Sequence, residues 1–482
     1  MGIISFNNLL DLFIKILMKN QSTLILFLCC IISRTYTSIY YIEDIDSLRF
    51  ALSISDQFNL SKFQPHFPGY PVFWFLAKIF YLLTGNMGIS FSIIGGISTF
   101  FIIFYSLKIL NLNIESVVGV FSTLIIFFNP MIWILGNRYM PDLMGLALFI
   151  CTLYFLLQHR NKKIGCFLIG LLFGTRLSFF PLILIPLLFS FKNQKNKISL
   201  FNYLIFGCLI WLIPMIYITG FNEIFSVASK HTIGHFTEYG GTVITESNWL
   251  KRFILFFNTI WSDGLGGYWK DRSIITMIYS ILVVPIIYMG IKSSKIKDYN
   301  IKLLYNSVLI YIIWILFFQN IIYKSRHVLP IVFILILFVC LGIQYIVKNY
   351  SKYKNIFYTY LSGLIVSLLV ISLTLNFQHK NHTAISQLSN YLMNKQPKTI
   401  VSIPLINYYL KSHGIKGHFI NIENQEELLN IDFDSNSKDF YLIGDFKNFI
   451  NKDFLIHTEK RFYHNPYVNR MWSIIELHYV QK

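Results

Sequence analysis

Charge is what this sequence has least of. Only 13% of its 482 residues are Asp, Glu, Lys or Arg, about half of the roughly 25% that soluble domains carry. An ordinary soluble domain is thereby excluded, because its surface needs those charges for solvation. Acidic residues are the scarcer sign, 23 against 41 Lys and Arg, for a formal net charge of +18. Such a surplus often marks a nucleic-acid partner. Here, however, the Lys residues stand in short clusters between apolar runs, as in chains oriented in a membrane, so no nucleic-acid partner is expected. Cysteine is sparse too: Cys29, Cys30, Cys151, Cys166, Cys208 and Cys340 all lie in apolar segments. None has metal-ligand spacing with His, and the polar tail has no cysteine, so neither a metal site nor a disulfide framework is indicated. Internal repeats are also missing, which weakens an inverted-repeat transporter, and the polar tail has no Gly-rich phosphate loop.

What is abundant is apolar length. Hydrophobic residues make up 55% of the chain and mean hydropathy is +0.55. A span needs about 20 apolar residues to cross a core of about 30 Å. Such stretches fall near 22–39, 87–107, 116–135, 143–157, 198–218, 274–291, 302–322, 328–347 and 356–375. The stretch 164–191 is too long for one crossing and is interrupted at Thr175, Arg176 and Pro181, so it reads as two short helices that enter and return. The fold class is therefore a mainly α, polytopic membrane protein of about eleven spans or half-spans. Lys15, Lys19, Lys108, Arg160, Lys162, Lys163, Lys192, Lys195, Lys197, Lys292, Lys295, Lys297, Lys302, Lys348, Lys352 and Lys354 fall on one side of that arrangement. The positive-inside rule makes that side, and the N-terminus, cytoplasmic. No small-residue cleavage site follows the first span, so it reads as an uncleaved anchor.

Two units are expected: a membrane unit over 1–377, with outer segments 40–86 and 220–273, and a small extracytoplasmic α/β domain over 378–482. The tail holds 10 of the 23 acidic residues. Its pattern predicts strand 399–403, helix 405–413, strand 418–422, helix 425–429 and strand 439–443.

Thirteen acidic residues precede the tail, and Glu43, Asp44, Asp46 and Asp56 follow the first span closely. In a helix Glu43 and Asp46 share a face; in an extended run Asp44 and Asp46 do. Clustered carboxylates repel, which raises one pKa and suits that group to act as general base. The competing reading is a solvated helix end. The prolines of Gln64-Pro-His-Phe-Pro-Gly-Tyr-Pro then set a rigid turn. A short apolar helix follows, suited to the interface with Tyr70 and Trp74 at headgroup depth, or simply to an aromatic-belt loop.

Asp46-Ser47, His66-Phe-Pro-Gly-Tyr-Pro71, Leu76-Ala-Lys-Ile-Phe80 and Gly85-Asn86 together resemble the N-terminal signature of GT-C superfamily glycosyltransferases. The resemblance is to protein O-mannosyltransferase-like families, with an acidic first loop and a His-Pro-Pro-Gly-Tyr-Pro turn; Phe67 stands where the first of those prolines is usual. It continues through Phe128-Asn-Pro-Met-Ile-Trp133, Arg138-Tyr-Met-Pro-Asp142, Gly170-Leu-Leu-Phe-Gly-Thr-Arg176 and Ser325-Arg-His-Val-Leu-Pro330. It implies transfer of a sugar from a polyprenyl-phosphate or polyprenyl-diphosphate carrier to a lipid, glycan or protein acceptor, on the outer face of a bacterial plasma membrane. An endoplasmic reticulum membrane would share the topology, and the sequon Asn381-His-Thr would matter only there.

The resemblance places the catalytic acid at Asp46, which Ser47 follows, with Asp44 second. Some relatives carry Glu three residues further on, where this chain has Arg49. Arg and Lys suit a departing phosphate, which nominates Arg138, Arg176, Lys324, Arg326 and His327 for substrate binding, with Glu43, His66 and Asp142 beside them. Each has a plainer competitor. Arg138 and Asp142, four apart, would pair or cap a helix; Lys324, Arg326 and His327 would snorkel to headgroups; His66 would be a packed loop residue. Arg34, inside the first span, is expected to pair with a carboxylate. His231, His235, Glu238 and Glu246 are too loosely spaced for a metal, and no cofactor is indicated. Two rival functions share the span pattern: a transporter or flippase for lipid-linked sugars, and a polysaccharide polymerase or ligase.

Overall fold

The computed structural model describes residues 21–157, 161–192, 196–238, 241–246, 248–294, 299–424, 427, 439–446 and 454–481. Expectations for Lys15, Lys19, Arg160, Lys195, Lys295, Lys297 and nearly all of helix 425–429 lie outside these residues.

The chain is a multi-pass helical membrane protein with a small C-terminal sheet. Among the described residues, six helical runs are long and apolar enough to cross a membrane, a bent pair makes a seventh, and four shorter apolar helices accompany them. The elements that place the site are α1 (Gln21–Tyr36), α2 (Ile45–Ser55), α3 (Pro71–Thr84), α4 (Met87–Ile109), α5 (Val117–Phe127), α6 (Pro130–Asn137), α7 (Asp142–Leu157), α8 (Lys162–Arg176), α9 (Phe180–Lys192) and α10 (Lys197–Thr219). They are followed by α11 (Phe221–Thr237), α12 (Trp249–Asn258), α13 (Ile274–Ser294), α14 (Tyr299–Phe318), α15 (Leu329–Asn349), α16 (Lys354–His379), α17 (Ala384–Lys395) and α18 (Pro404–Ser412).

The stretch read as entering and returning does so. Lys163 lies 5.5 Å from the Tyr203 ring, Gly170 abuts the Gly207 backbone, and Trp211 Nε1 donates to the Gly170 carbonyl at 2.8 Å. Helices α8 and α10 therefore run parallel. α10 begins at Lys197, just after α9 ends at Lys192, so α9 must bring the chain back. Its reversal follows Arg176, at the 3₁₀ turn Leu177–Phe179.

The span expected over 116–135 is bent instead by 53° between α5 and α6. Asn129 caps α6 by accepting from the Ile132 amide at 3.0 Å, and Pro130 sits at the first helical position, where its missing N–H costs nothing. Arg34 corrects another expectation. Among the described residues no carboxylate meets it: Nη1 donates to Ser33 Oγ at 3.0 Å, Nη2 donates to the Phe127 carbonyl at 2.9 Å, and the guanidinium stacks over Phe127 and Trp133 at 4.5 and 4.2 Å. The kink at α5's end frees that carbonyl, and two aromatic faces stabilise the cation further.

The C-terminal sheet holds β1 (Thr399–Ser402), β2 (His418–Asn421), β3 (Asp439–Ile443), β4 (Leu455–Tyr463) and β5 (Ile474–Gln481) in the order β2-β1-β3-β5-β4. β1 pairs in parallel with β2 and β3, while β5 runs antiparallel to β3 and β4. Strands β4 and β5 and helix α17 were not expected. β4 is exposed along most of its length and so has no apolar face to betray it. The unit's core also takes in two residues from far upstream: Ile45 and Leu48 of α2 pack with Leu388, Leu392, Tyr409 and Leu477. The other side of α2, through Phe50, Ala51 and Ile54, packs with Tyr70, Phe73, Phe91 and Tyr139. The acidic-loop helix is thus clasped between membrane unit and sheet.

Close helix crossings rest on small residues, as is common in lipid. A Cβ on Gly95 would overlap the Gly136 carbonyl, whereas one on Gly363 meets only Leu282 at 3.9 Å. Gly95→Ala should therefore lower the thermal midpoint of the detergent-solubilised protein sharply. Gly363→Ala should leave it unchanged or raise it, by up to about 1 kcal/mol of helix propensity.

Candidate functional site

Asp44 stands just before α2 and caps it, accepting from the Ser47 amide at 2.8 Å. Asp46 lies in the first turn, where the helix dipole favours negative charge, and is 1% exposed. Its Oδ2 receives Lys324 Nζ at 2.6 Å and Arg326 Nη2 at 2.5 Å, and Arg49 Nη1 stands 3.6 Å from Oδ1. Burial alone would push the Asp46 carboxyl upward, but Lys324 and Arg326 outweigh it and hold the group well below the usual carboxylate range.

Lys324 and Arg326 come from the segment that turns through the 3₁₀ helix Ser325–Val328 into α15. Arg326 also approaches Asp142, Nε to Oδ2 at 3.6 Å, and Arg176 Nη2 stands 2.8 Å from Asp142 Oδ1, an ion pair without hydrogen-bond geometry. Asp46, Arg326, Asp142 and Arg176 therefore form one continuous chain of alternating charge, all buried. Arg176 ends α8 at the reversal. Gly145 admits it, since a Cβ there would stand 2.8 Å from Arg176 Cβ. Around it, His327 Nδ1 lies 3.4 Å from Nη2, Tyr70 Oη lies 3.4 Å from Nη1, and His66 Nε2 lies 3.0 Å from Tyr70 Oη. Burial keeps His66 well below its ordinary pKa, so its imidazole is neutral. His66 stacks on His231 at 5.7 Å.

Glu43 belongs to a second cluster. Arg138 Nε stands 3.0 Å from Oε1 and His379 Nε2 stands 2.9 Å from Oε2. Burial raises the Glu43 pKa, but Arg138 and His379 more than reverse that and bring it down to about 2. Burial, with the neighbouring Glu43 and Asp46 charges, pushes Asp44 upward instead. Its Oδ2 accepts from Asn469 Nδ2 at 3.0 Å.

Seven of the nominated residues are thus drawn together: Asp46, Lys324, Arg326, Asp142, Arg176, His327 and, through Tyr70, His66. Glu43 and Arg138 pair with each other alongside. Asp44 faces the C-terminal unit. Glu43 and Asp46 do not share a helix face, because α2 starts only at Ile45. Arg138 and Asp142 do not pair either: the chain turns between them, sending Arg138 to Glu43 and Asp142 to Arg176. Sequence reasoning passed over His379, Asn469 and Arg470, hundreds of residues from the carboxylates they approach, and nothing local distinguishes them. Tyr70 was read only as an interfacial ring. Among the described residues no cluster of three or more His, Cys, Asp or Glu is placed to hold a metal.

No family model matches the chain, and no curated protein sequence does. Solved structures do. The crystal structure of ArnT from Cupriavidus metallidurans in the apo state aligns over 94% of this chain and 97% of that one, with TM-score 0.55 and 10% identity. The same protein bound to undecaprenyl phosphate aligns over 98% of both chains, with TM-score 0.50 and 9% identity. The chain has the ArnT fold. ArnT has GT-C architecture, so the fold expected from the acidic loop and proline turn is the one found. The ArnT likeness extends through the C-terminal unit, well past the first 190 or so residues in which the motifs are densest.

The Glu43 cluster makes a pH prediction. Its carboxyl titrates near 2 when folded against an ordinary 4.5, so the stability it contributes is complete above about pH 4.5 and drains away as pH falls toward 2. Glu43→Gln should cost about 3 kcal/mol at pH 7, as removing one partner of a buried pair does. The gap to wild type should narrow between pH 4.5 and pH 3, read as thermal midpoint.

Proposed function

We propose that this chain is a glycosyltransferase that moves a sugar from a polyprenyl-phosphate-type carrier to an acceptor on the extracytoplasmic face of a bacterial plasma membrane. The observation that carries this reading is the convergence of two phosphate-competent cations, Lys324 and Arg326, on one buried carboxylate, Asp46. The ArnT likeness supports it, since one of those structures holds undecaprenyl phosphate. Support also comes from an apolar cavity of about 440 Å³ within the helical bundle. Its lining includes Val72, Met144 and Leu171, which lie two to five residues along the chain from Tyr70, Asp142 and Arg176, and also Tyr105, Phe155 and Ile164. That shape suits an isoprenoid chain whose phosphate lies at the charged end.

In this reading Lys324 and Arg326 rest on Asp46 until a phosphate competes for them. Drawn toward the phosphate, they leave Asp46 with less positive charge nearby, and its affinity for a proton rises. Asp46 then takes the proton of the acceptor hydroxyl as the acceptor oxygen bonds to the anomeric carbon. The bond from that carbon to the phosphate oxygen breaks, and its electron pair leaves on the phosphate, where Lys324 and Arg326 stabilise it. Asp142 holds Arg326 and Arg176 in place from behind. The basic clusters then face the cytoplasm and the Asp46 end faces outward.

The test is release of free polyprenyl phosphate from radiolabelled polyprenyl-phosphate sugars in membranes carrying the protein. Wild type should release it in an acceptor-dependent way, and Asp46→Asn should lower turnover by about 10²–10⁴-fold. Equal release by both proteins would remove Asp46 from the chemistry. Passage of the intact donor across proteoliposomes without release would mark a flippase instead.

A further inference from the structure

The C-terminal unit sends one turn back into the membrane unit. It joins β4 to β5 over residues 464–473, and three consecutive residues in it each grip a different partner. The Val468 carbonyl accepts from Arg138 Nη2, the guanidinium that pairs with Glu43. Asn469 Nδ2 donates to Asp44 Oδ2 at 3.0 Å. Arg470 makes a two-pronged pair with Asp263, Nε to Oδ2 at 2.6 Å and Nη2 to Oδ1 at 2.9 Å, and also reaches Asn258.

The turn is stiff in its own right. Asn465 Oδ1 accepts from the Tyr467 amide at 3.0 Å, Asn469 Oδ1 from the Met471 amide at 2.9 Å, and His464 Nε2 donates to the Asn469 carbonyl at 2.8 Å. His464 Nδ1 accepts in turn from the Ala384 amide at 3.0 Å, which moors the turn to α17. On the far side Asp263 belongs to the π-helical stretch Thr259–Gly264, whose last carbonyl accepts from Asn129 Nδ2 at 2.9 Å.

We propose that this turn is a strap that positions the donor site: through Asn469 and Arg470 it sets the first turn of α2, and with it the bearing of Asp46, against the second outer segment. The route is short. Asn469 holds one oxygen of Asp44, the other oxygen caps the Ser47 amide, and Asp46 lies between them in sequence. Ile45 and Leu48, on the same turn, are buried in the C-terminal core, so polar and apolar contacts restrain the same few residues. Asn469 and Arg470 are positioning residues; no contact brings either to Asp46, Lys324 or Arg326. The catalytic meaning of the strap rests on the function proposed above, but its mechanical action does not.

The experiment compares full-length wild type, Asn469→Ala, Arg470→Lys and the control Arg461→Ala, whose side chain on β4 is 61% exposed. Amide hydrogen exchange is followed at Ser47 and Leu48, whose N–H groups bond Asp44, and at β3 and β5 as a check on the sheet. Asn469→Ala should speed exchange at 47 and 48 about fivefold, the ordinary worth of a helix N-cap, with β3 and β5 unchanged. Arg461→Ala should change neither. In the release assay Asn469→Ala and Arg470→Lys should lower kcat about tenfold or more, as misplacement by a fraction of an ångström does, with KM for the donor within about twofold because Lys324 and Arg326 are untouched. Unchanged exchange at 47 and 48 overturns the strap, as does faster exchange with kcat intact. Should Asn469→Ala not fold, Asn469→Ser, which keeps a hydroxyl toward Asp44, is read by the same criteria. If wild type turns over no donor, the proposed function falls, and the exchange data alone judge the strap.

Discussion

The charged end of this molecule is arranged around a single carboxylate oxygen. Asp46 Oδ2 takes a lysine and an arginine at once, in a place from which water is largely excluded. Burying Asp46 and Arg326 is expensive, and such a pair persists only where its members are well matched. Asp142 extends the pairing to Arg176, so no charge in the row stands alone. The helices that supply these groups are far apart in sequence, and their ends must meet to satisfy one another. The reversal after α8 and the turn into α15 each bring a charged side chain to this row.

The same constraint explains how three adjacent carboxylates come to differ so much. Glu43, Asp44 and Asp46 would repel in water, yet each is given its own partners: Arg138 and His379 for the first, a helix amide and Asn469 for the second, Lys324 and Arg326 for the third. Their pKa values move in different directions accordingly. Composition pointed to a cluster with one raised pKa. The raised one is Asp44, which caps a helix, while Asp46 is kept ionised.

Much of this was legible in the sequence because lipid imposes strong rules. Apolar runs and basic clusters outlined the helices, and Thr175, Arg176 and Pro181 betrayed the reversal. The scarcity of charge made Asp46, Asp142, Arg176 and Arg326 conspicuous before any contact was known. What stayed hidden depends on distance or on mild chemistry. Arg34 was expected to find a carboxylate, but a kinked helix offered a carbonyl and two aromatic rings instead. β4 carries no apolar face, so no alternation marked it. Asn469 is one asparagine among many, and only the fold brings it to Asp44.

The clasp on α2 also has a bearing on how the protein is made. Asp44 and Asn469 are 425 residues apart, and Lys324 joins Asp46 across 278. At roughly 5–20 residues per second of synthesis, the acidic loop waits on the order of half a minute for its last partner. During that interval Ile45 and Leu48 have no core to enter, and although Arg138, Lys324 and Arg326 reach Glu43 and Asp46 earlier, Asp44 still lacks Asn469. The clasp on α2 is therefore completed only once the C-terminal sheet has been made, and until then the acidic loop stands unfinished beside the bilayer.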